Sequence, residues 1–427
     1  MMKAVSEKEV EQMQEKVLII AVRQPRQEEE RFQSSLSELQ SLTETAQGNV
    51  LKIVTQNREK IHPALYMGEG KVEELTEFVE ELEIDLVISN DELSPSQAKN
   101  LGERLGVRII DRSQLILDIF AQRANTKEGK LQVELAQLEY MLPRLYGQGK
   151  SLSRLAGGIG TRGPGETKLE SDRRHIRRRI DEIKARLRAV VNQRAQYRSR
   201  RKENKAFQIA IVGYTNAGKS TFFNRITKSE SLEENQLFAT LDPMTRQIQL
   251  PSGFAALITD TVGFIQDLPT TLIAAFRSTL EEVTEADFIL HMVDASHPDL
   301  ENHQKTVNTL LEDLGAENLP MLTVYNKKDI LQEDFIPSVH PSMTISAHDP
   351  IDLKRVLHEV EQILIGEWEA YQTFLTPDEG TLLETLRRRT IVTDRYFDEA
   401  KEGYRVSGYI SPDHPLKYKV KEQHETE

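Results

Sequence analysis

Gly213-Tyr214-Thr215-Asn216-Ala217-Gly218-Lys219-Ser220-Thr221 follows the apolar run Phe207–Val212 and fits the pattern G-x-x-x-x-G-K-[ST]. Between a strand and a helix, such a loop turns successive backbone N–H groups inward, where phosphate oxygens meet them at the positive end of the helix. Lys219 is then placed to reach the β- and γ-phosphates, and the Ser220 hydroxyl to ligate Mg2+. A second motif, Asp260-Thr261-Val262-Gly263, closes the apolar run Ala255–Thr259. Its aspartate is expected to hold Mg2+ through water, and Gly263 to offer its N–H to the γ-phosphate. Between the two lies Phe238-Ala239-Thr240-Leu241-Asp242, where Thr240 is the candidate second hydroxyl on the metal. The bland reading of Thr240 is a turn residue. The polar stretch Lys228–Gln236 before it reads as a flexible switch, so these segments would order on the γ-phosphate and relax after hydrolysis.

Base identity comes from Asn326-Lys327-Lys328-Asp329, after the apolar run Met321–Tyr325. The Asp329 carboxylate can accept from both N1–H and the exocyclic amine of guanine. Adenine offers neither donor at that edge, so the unpaired carboxylate rejects it. Ser346-Ala347, after Met343–Ile345, supplies a last loop whose backbone can touch the guanine oxygen. Each short pattern alone could be a polar turn; their order, with Asn326 107 residues beyond Lys219, joins them into one site for GTP and GDP. The expectation is a Mg2+-dependent GTP hydrolase in which Lys219, Thr240 and Gly263 take catalytic roles. Phe264 departs from the common pattern, since many GTPases place a glutamine there to orient the attacking water. A phenyl ring cannot do this. Turnover by the domain alone is therefore expected to be slow and to need a partner surface or a backbone-positioned water.

Elements of matching period must carry these motifs. Val17–Val22, Val50–Thr55, Asp85–Ser89 and Val107–Ile110 are candidate strands, and Arg31–Thr45, Lys71–Leu82 and Pro95–Leu105 have helical spacing. That alternation predicts a small parallel α/β unit. Leu131, Leu135, Leu138, Leu142 and Leu145, then Ile176, Ile180, Ile183, Leu187 and Val190, recur at steps of four and three. Two such stripes can bury each other as an antiparallel helical hairpin. Ser153–Glu166 between them, with five glycines and a proline, is expected to lie outside any helix, as a mobile basic tip. Strand and helix alternate again from Phe207 to about Ile365. The tail offers a helix at Asp378–Arg388, strands at Thr390–Asp394 and Tyr404–Tyr409, and a final KVKEQHETE expected to be disordered. The predicted fold class is α/β with domains at 1–118 (small α/β), 119–205 (basic hairpin), 206–370 (P-loop GTPase) and 371–427 (small α+β).

Composition limits the functions available. The 427 residues contain no cysteine, which excludes disulfides and thiolate chemistry, and the net charge is −13. Ser151–Lys205 nevertheless holds 17 Lys and Arg against 6 Asp and Glu, leaving −24 on the rest of the chain. A basic segment on an acidic body is the footprint expected for a phosphate backbone, while its bland alternative is a solvated helix. The charged N-terminus has no apolar signal core, and no apolar run approaches the ~18–20 residues that span a bilayer, so a soluble, intracellular protein is expected.

Several upstream motifs resemble the HflX family of GTPases within the translation-factor-like class. They are Asp111-Arg112, Leu115-Ile116-Leu117-Asp118-Ile119-Phe120, Arg123, Gln132-Val133-Glu134-Leu135, Leu142-Pro143-Arg144-Leu145, Gly157-Gly158-Ile159-Gly160, Arg162-Gly163-Pro164-Gly165-Glu166 and Asp172-Arg173-Arg174. The resemblance runs from about Tyr66–Lys71 to the end of the GTPase domain, and the glycine-rich segment is its most specific part. It implies a cytoplasmic, ribosome-associated GTPase, expected to be a monomer, that binds the large ribosomal subunit near the peptidyl-transferase centre. It also implies ribosome-stimulated hydrolysis, splitting of stalled or idle ribosomes, notably under heat stress, and a hairpin tip close to rRNA. Arg154, Gly157, Gly158, Gly160, Arg162, Arg173, Arg174, Arg177 and Arg178 are the RNA-contact candidates. Some members also bind and hydrolyse ATP through the N-terminal region; this sequence has no second P-loop, and Gly68–Lys71 reads as a loop before a helix. Two rival functions share these features. One is a GTP-dependent anti-association factor whose hydrolysis is incidental, the other a protein-directed switch whose coiled-coil arm grips another helix bundle.

Overall fold

The computed structural model describes residues 14–152, 164–203, 206–228, 237–238, 240–266, 282–331 and 335–422. They divide into two compact units. The first runs to Val191 and also takes Leu237, Phe238, Thr240, Leu241 and Gln266; the second holds the remainder.

In the first unit β1 (Lys16–Arg23), α1 (Glu29–Thr45), β2 (Asn49–Asn57), α2 (Glu69–Glu81), β3 (Leu86–Ser89), α3 (Pro95–Leu105), β4 (Arg108–Asp111) and α4 (Arg112–Arg123) alternate. The strands form a parallel sheet in the order β2-β1-β3-β4. Val17–Val22 is buried on both faces, as the inner strand of a parallel sheet must be, which explains its unbroken apolar run. Leu18, Ile20 and Val22 meet Val72, Leu75, Leu101 and Leu105 from α2 and α3 in one core. Ser94 and Gln97 form a capping box at the start of α3, with Pro95 in its first turn, and Gly106 ends it in the left-handed conformation. Gly68 caps α2, and Glu69, Gly70 and Lys71 form its first turn, so only Gly68 of the stretch expected as a loop precedes the helix.

Two long helices follow, α5 (Lys127–Leu152) and α6 (Pro164–Glu203). Their stripes meet as expected, Leu131, Leu135, Leu138 and Leu142 packing with Ile176, Ile180, Ile183 and Leu187. Arg179 grips Glu134 through Nε (2.6 Å) and Nη2 (2.9 Å), and Lys184 pairs with Glu139 at 2.7 Å. One expectation is corrected: α6 begins at Pro164, so Pro164, Gly165 and Glu166 are helical. Proline suits a first helical turn because its missing N–H would have no intrahelical partner. The remainder of the glycine-rich tip, 153–163, lies outside the described residues. Within the same unit the Phe238 ring stands edge-on to Phe120 (centroids 4.5 Å apart), Leu237 N donates to Thr45 Oγ1 (3.3 Å), and Arg112 Nη2 to Gln266 O (3.5 Å).

The second unit contains β5 (Phe207–Gly213), α7 (Lys219–Thr227), β6 (Met244–Gln249), β7 (Ala255–Asp260), β8 (Phe288–Asp294), α8 (Leu300–Asp313), β9 (Met321–Asn326), β10 (Ser342–Thr344) and α9 (Pro350–Glu367). Their sheet has the order β10-β9-β8-β5-β7-β6, with β6 alone antiparallel to its neighbour. Ile209, Ile211, Leu290, Leu322, Phe222 and Val356 lie in its core. A three-stranded antiparallel sheet, β11 (Glu369–Leu375), β12 (Ile391–Asp398) and β13 (Gly403–Ile410) in the order β11-β13-β12, completes the unit with α10 (Gly380–Arg389) and α11 (Leu416–Glu422). The tail is more ordered than its sequence suggested. Lys419–Glu422 belongs to α11, where Val420 is buried, while 423–427 lie outside the described residues. Ile391 and Tyr409 share the core of the larger sheet, which ties the two sheets together.

Candidate functional site

The phosphate cradle forms where β5 ends at Gly213 and α7 starts at Lys219. Gly218 sits at φ +89, and a Cβ there would lie 2.1 Å from Asn326 Nδ2, so only glycine lets the loop pass. Lys219 is 6% exposed and donates through Nζ to Tyr214 O at 2.7 Å. Burial pushes its amine down to about 8, with the Asp260 carboxylate opposing that fall. At neutral pH the lysine therefore keeps its charge and faces the loop that would carry phosphates.

Asp260 ends β7, and Ser220 Oγ donates to its Oδ2 at 2.9 Å. A hydroxyl and a carboxylate converging in this way fit Mg2+, which takes hard oxygen donors, few of them from protein, when phosphates and water complete its shell. Among the described residues no cluster of three or more His, Cys, Asp or Glu could hold a metal by itself. Thr261 and Val262 are buried, and Thr261 Oγ1 donates to Ile211 O at 2.7 Å, fixing the end of the strand. The backbone beyond zips onto the cradle: Thr215 N donates to Phe264 O (2.8 Å) and Phe264 N to Gly213 O (3.2 Å). Gly263 lies so close that a Cβ on it would be 2.8 Å from Thr215 Cγ2 and 3.0 Å from Lys219 Nζ.

The base end is held to the same cradle. Asn326, 3% exposed, donates from Nδ2 to Ala217 O (2.9 Å) and accepts at Oδ1 from Ala347 N (2.8 Å). Its amide thus ties the two loops together. Asp352 Oδ2 accepts from Ser346 N at 3.0 Å, and Ser346 in turn holds the exposed Asp329 carboxyl below the usual range by a hydrogen bond. Lys328 is exposed, whereas Lys327 Nζ pairs with Asp294 Oδ2 at 2.7 Å. Asp294 and Asp352 were missed by motif reading, although an acid at the C-terminal end of β8 and another in the first turn of α9 were visible signals. A ring stack was also missed: His303 lies flat on Tyr214 (centroids 3.6 Å apart), and burial depresses its imidazole to about 4.

The structure thus gathers Gly213–Thr221, Asp260–Gly263, Asn326 and Ser346-Ala347 in one unit, with Asp242 in that unit as well. Phe238, Thr240 and Leu241 belong to the first unit, and Ala239 lies outside the described residues. Of the RNA-contact candidates, Arg174, Arg177 and Arg178 are exposed on α6 and Arg173 is half-buried. Arg154, Gly157, Gly158, Gly160 and Arg162 lie outside the described residues.

Three family models cover most of this chain: "GTP-binding GTPase N-terminal" at 33–121, "GTP-binding GTPase Middle Region" at 123–201 and "50S ribosome-binding GTPase" at 208–327. The GTPase HflX of Alkalihalophilus pseudofirmus is 54% identical over 96% of this chain and 97% of its own length. The GTPase HflX of Escherichia coli is 42% identical over 85% and 87%. A solved GTP-binding protein from Sulfolobus solfataricus, in complex with GDP, is 22% identical with a TM-score of 0.44, covering 82% of this chain and 98% of its own. With the P-loop, Asp260–Gly263 and the loops of Asn326 and Ser346-Ala347 gathered in its second unit, and curated relatives this similar along nearly the whole length, the chain is a GTP hydrolase and belongs to the HflX family of GTPases.

Proposed function

We propose that this GTPase binds the large ribosomal subunit through its basic hairpin and splits stalled or idle ribosomes, with Mg2+ as its metal and the ribosome as its activator. The observation that carries the reading is the hairpin. Its +11 segment includes Arg174, Arg177 and Arg178, all exposed on α6, and Arg179 and Lys184 pair with Glu134 and Glu139 across the hairpin. Exposed guanidinium groups on a long helical arm suit an RNA backbone, whose neutralisation gives salt-dependent affinity. The name of the family model over 208–327, "50S ribosome-binding GTPase", points the same way.

The roles of the chain's own residues follow from the site. Backbone N–H groups of Gly213–Ser220 wrap the phosphates, Lys219 supplies a buried positive charge, and Asp329 reads guanine. Ser220 and, through water, Asp260 would hold Mg2+, which when bound neutralises charge on the β- and γ-phosphates. Phe264 offers no amide to orient water, in keeping with a rate that rises only on the ribosome. A cytoplasmic monomer is the form in which such a factor would act.

Sedimentation with large subunits tests the proposal at two salt concentrations, with GDP and with a non-hydrolysable GTP analogue. The protein should pellet with the analogue at low salt, lose most of that binding at high salt, and lose it at low salt when Arg174, Arg177 and Arg178 are changed together to alanine. Binding indifferent to salt and to those arginines would remove the hairpin from the interface.

A further inference from the structure

Phe264 leaves the reaction without the side chain that commonly positions its nucleophile, and the cradle holds a group able to replace it. Thr215 is 6% exposed, and its Oγ1 is buried without a hydrogen-bond partner. Leaving a hydroxyl buried and unpaired is costly, so such a group calls for an explanation, and a catalytic role is one of the few that apply. The neighbouring hydroxyls are committed: Ser220 Oγ to Asp260 Oδ2, and Thr261 Oγ1 to the carbonyl of Ile211. That of Thr215 is not.

Its place is equally telling. A Cβ built on Gly263 would lie 2.8 Å from the Thr215 methyl (Cγ2), 3.0 Å from Thr215 Cα and 3.0 Å from Lys219 Nζ, so the residue stands beside the lysine ammonium and the switch glycine, within one χ1 rotation of bringing its hydroxyl to them. Thr215 N donates to the carbonyl of Phe264, so the threonine is bonded to the very residue where a glutamine would stand. The Phe264 ring is itself buried.

We infer that Thr215 is a catalytic residue whose hydroxyl orients the attacking water against the γ-phosphate. A hydroxyl has one proton to donate and two lone pairs to accept with. Thr215 Oγ1 accepts from the water and donates to a γ-phosphate oxygen. The water oxygen forms the new bond to the γ-phosphorus, and the bond from that phosphorus to the β,γ-bridging oxygen breaks, its electron pair leaving with GDP. The water proton passes to a γ-phosphate oxygen, giving inorganic phosphate. Thr215 gains and loses no proton overall. Its contribution is position, and it acts in the basal reaction, so the inference does not depend on the ribosome.

Thr215→Val keeps the shape and deletes the hydroxyl, while Thr215→Ser keeps the hydroxyl and deletes the methyl. Single-turnover hydrolysis by the full chain without ribosomes should slow by about 100-fold in Thr215→Val, as for the loss of one oriented polar group at a reacting centre. Thr215→Ser should retain most of the rate, and GDP affinity should be unchanged in both. A valine variant as fast as the parent would overturn the inference. So would one whose rate and GDP affinity fall in the same proportion, since that marks a deformed cradle. If Thr215→Val does not fold, Thr215→Ala is read by the same two criteria.

Discussion

Replacing Asn326 by alanine would separate the two ends of the nucleotide site. Its Nδ2 donates to Ala217 O at 2.9 Å, and its Oδ1 accepts from Ala347 N at 2.8 Å, in surroundings that leave it 3% exposed. Alanine removes both bonds and strands a backbone carbonyl and a backbone N–H, each at a cost of about 1–3 kcal/mol. Together they amount to about 2–6 kcal/mol, a large part of the ~5–15 kcal/mol that holds a typical domain folded. At a slope of about 2 kcal/mol per molar urea, even the lower figure moves the unfolding midpoint by about 1 M. The chain reports this transition itself. Its one tryptophan, Trp368, meets Phe207 with ring centroids 5.7 Å apart and Phe254 at 5.3 Å, inside the same unit. Urea titration followed by tryptophan fluorescence should show the shift, and GDP affinity should drop by at least about tenfold as the loops part, equivalent to the ~1.4 kcal/mol of one lost bond. A variant within about 0.5 kcal/mol of the parent, the range of an ordinary surface change, and with unchanged GDP affinity, would refute the bridging role.

Other perturbations probe the remaining parts. With burial placing Lys219 at about 8, the free protein loses this charge above that pH, whereas bound phosphates retain it. GDP binding should then take up a proton and weaken by up to about tenfold per pH unit in that range; calorimetry in two buffers of different ionisation heat would show no uptake if the reading were wrong. Gly263→Ala introduces a methyl 2.8 Å from Thr215 Cγ2 and 3.0 Å from Lys219 Nζ. It should leave GDP affinity intact while slowing single-turnover hydrolysis by about 100-fold, the effect of an ångström's misplacement, and parental turnover would count against the crowding. Asp329→Asn should turn the preference from guanine towards xanthine, because an amide now presents donors where acceptors were needed; competition binding that still favours GTP strongly would exclude the carboxylate from base reading.

The nucleotide site was legible because each part is a short pattern at the end of a strand. The strand of Phe207–Gly213 and the glycines after it permit few other structures, and the four-three stripes of α5 and α6 fix which faces meet. β6 and β11 were less visible for a common physical reason. Met-Thr-Arg-Gln-Ile-Gln is largely polar and Glu-Ala-Tyr-Gln-Thr-Phe-Leu mixes polar with apolar residues, and both are edge strands whose hydrogen-bonded neighbours, β7 and β13, lie later in the chain. Local propensity is a poor guide where pairing decides. α11 was missed because its Lys-rich turn buries Val420 against Leu375, Leu386 and Val406, partners unknown before the sheet forms. The unpaired hydroxyl of Thr215 is a property of packing alone, invisible in a motif that accepts any residue there.

Phe238 carries a consequence for how this enzyme should be handled at the bench. Its backbone sits at φ +57, a region that bulky residues avoid, and its buried ring lies against Phe120. Packing holds the residue there, with Thr45 Oγ1 receiving the adjacent N–H of Leu237. A truncated preparation starting near residue 206 would discard both supports at once and free the loop bearing Thr240 to adopt commoner backbone angles. Rates gathered on that fragment would describe a loosened catalyst, so kinetic comparisons between variants belong on the whole polypeptide.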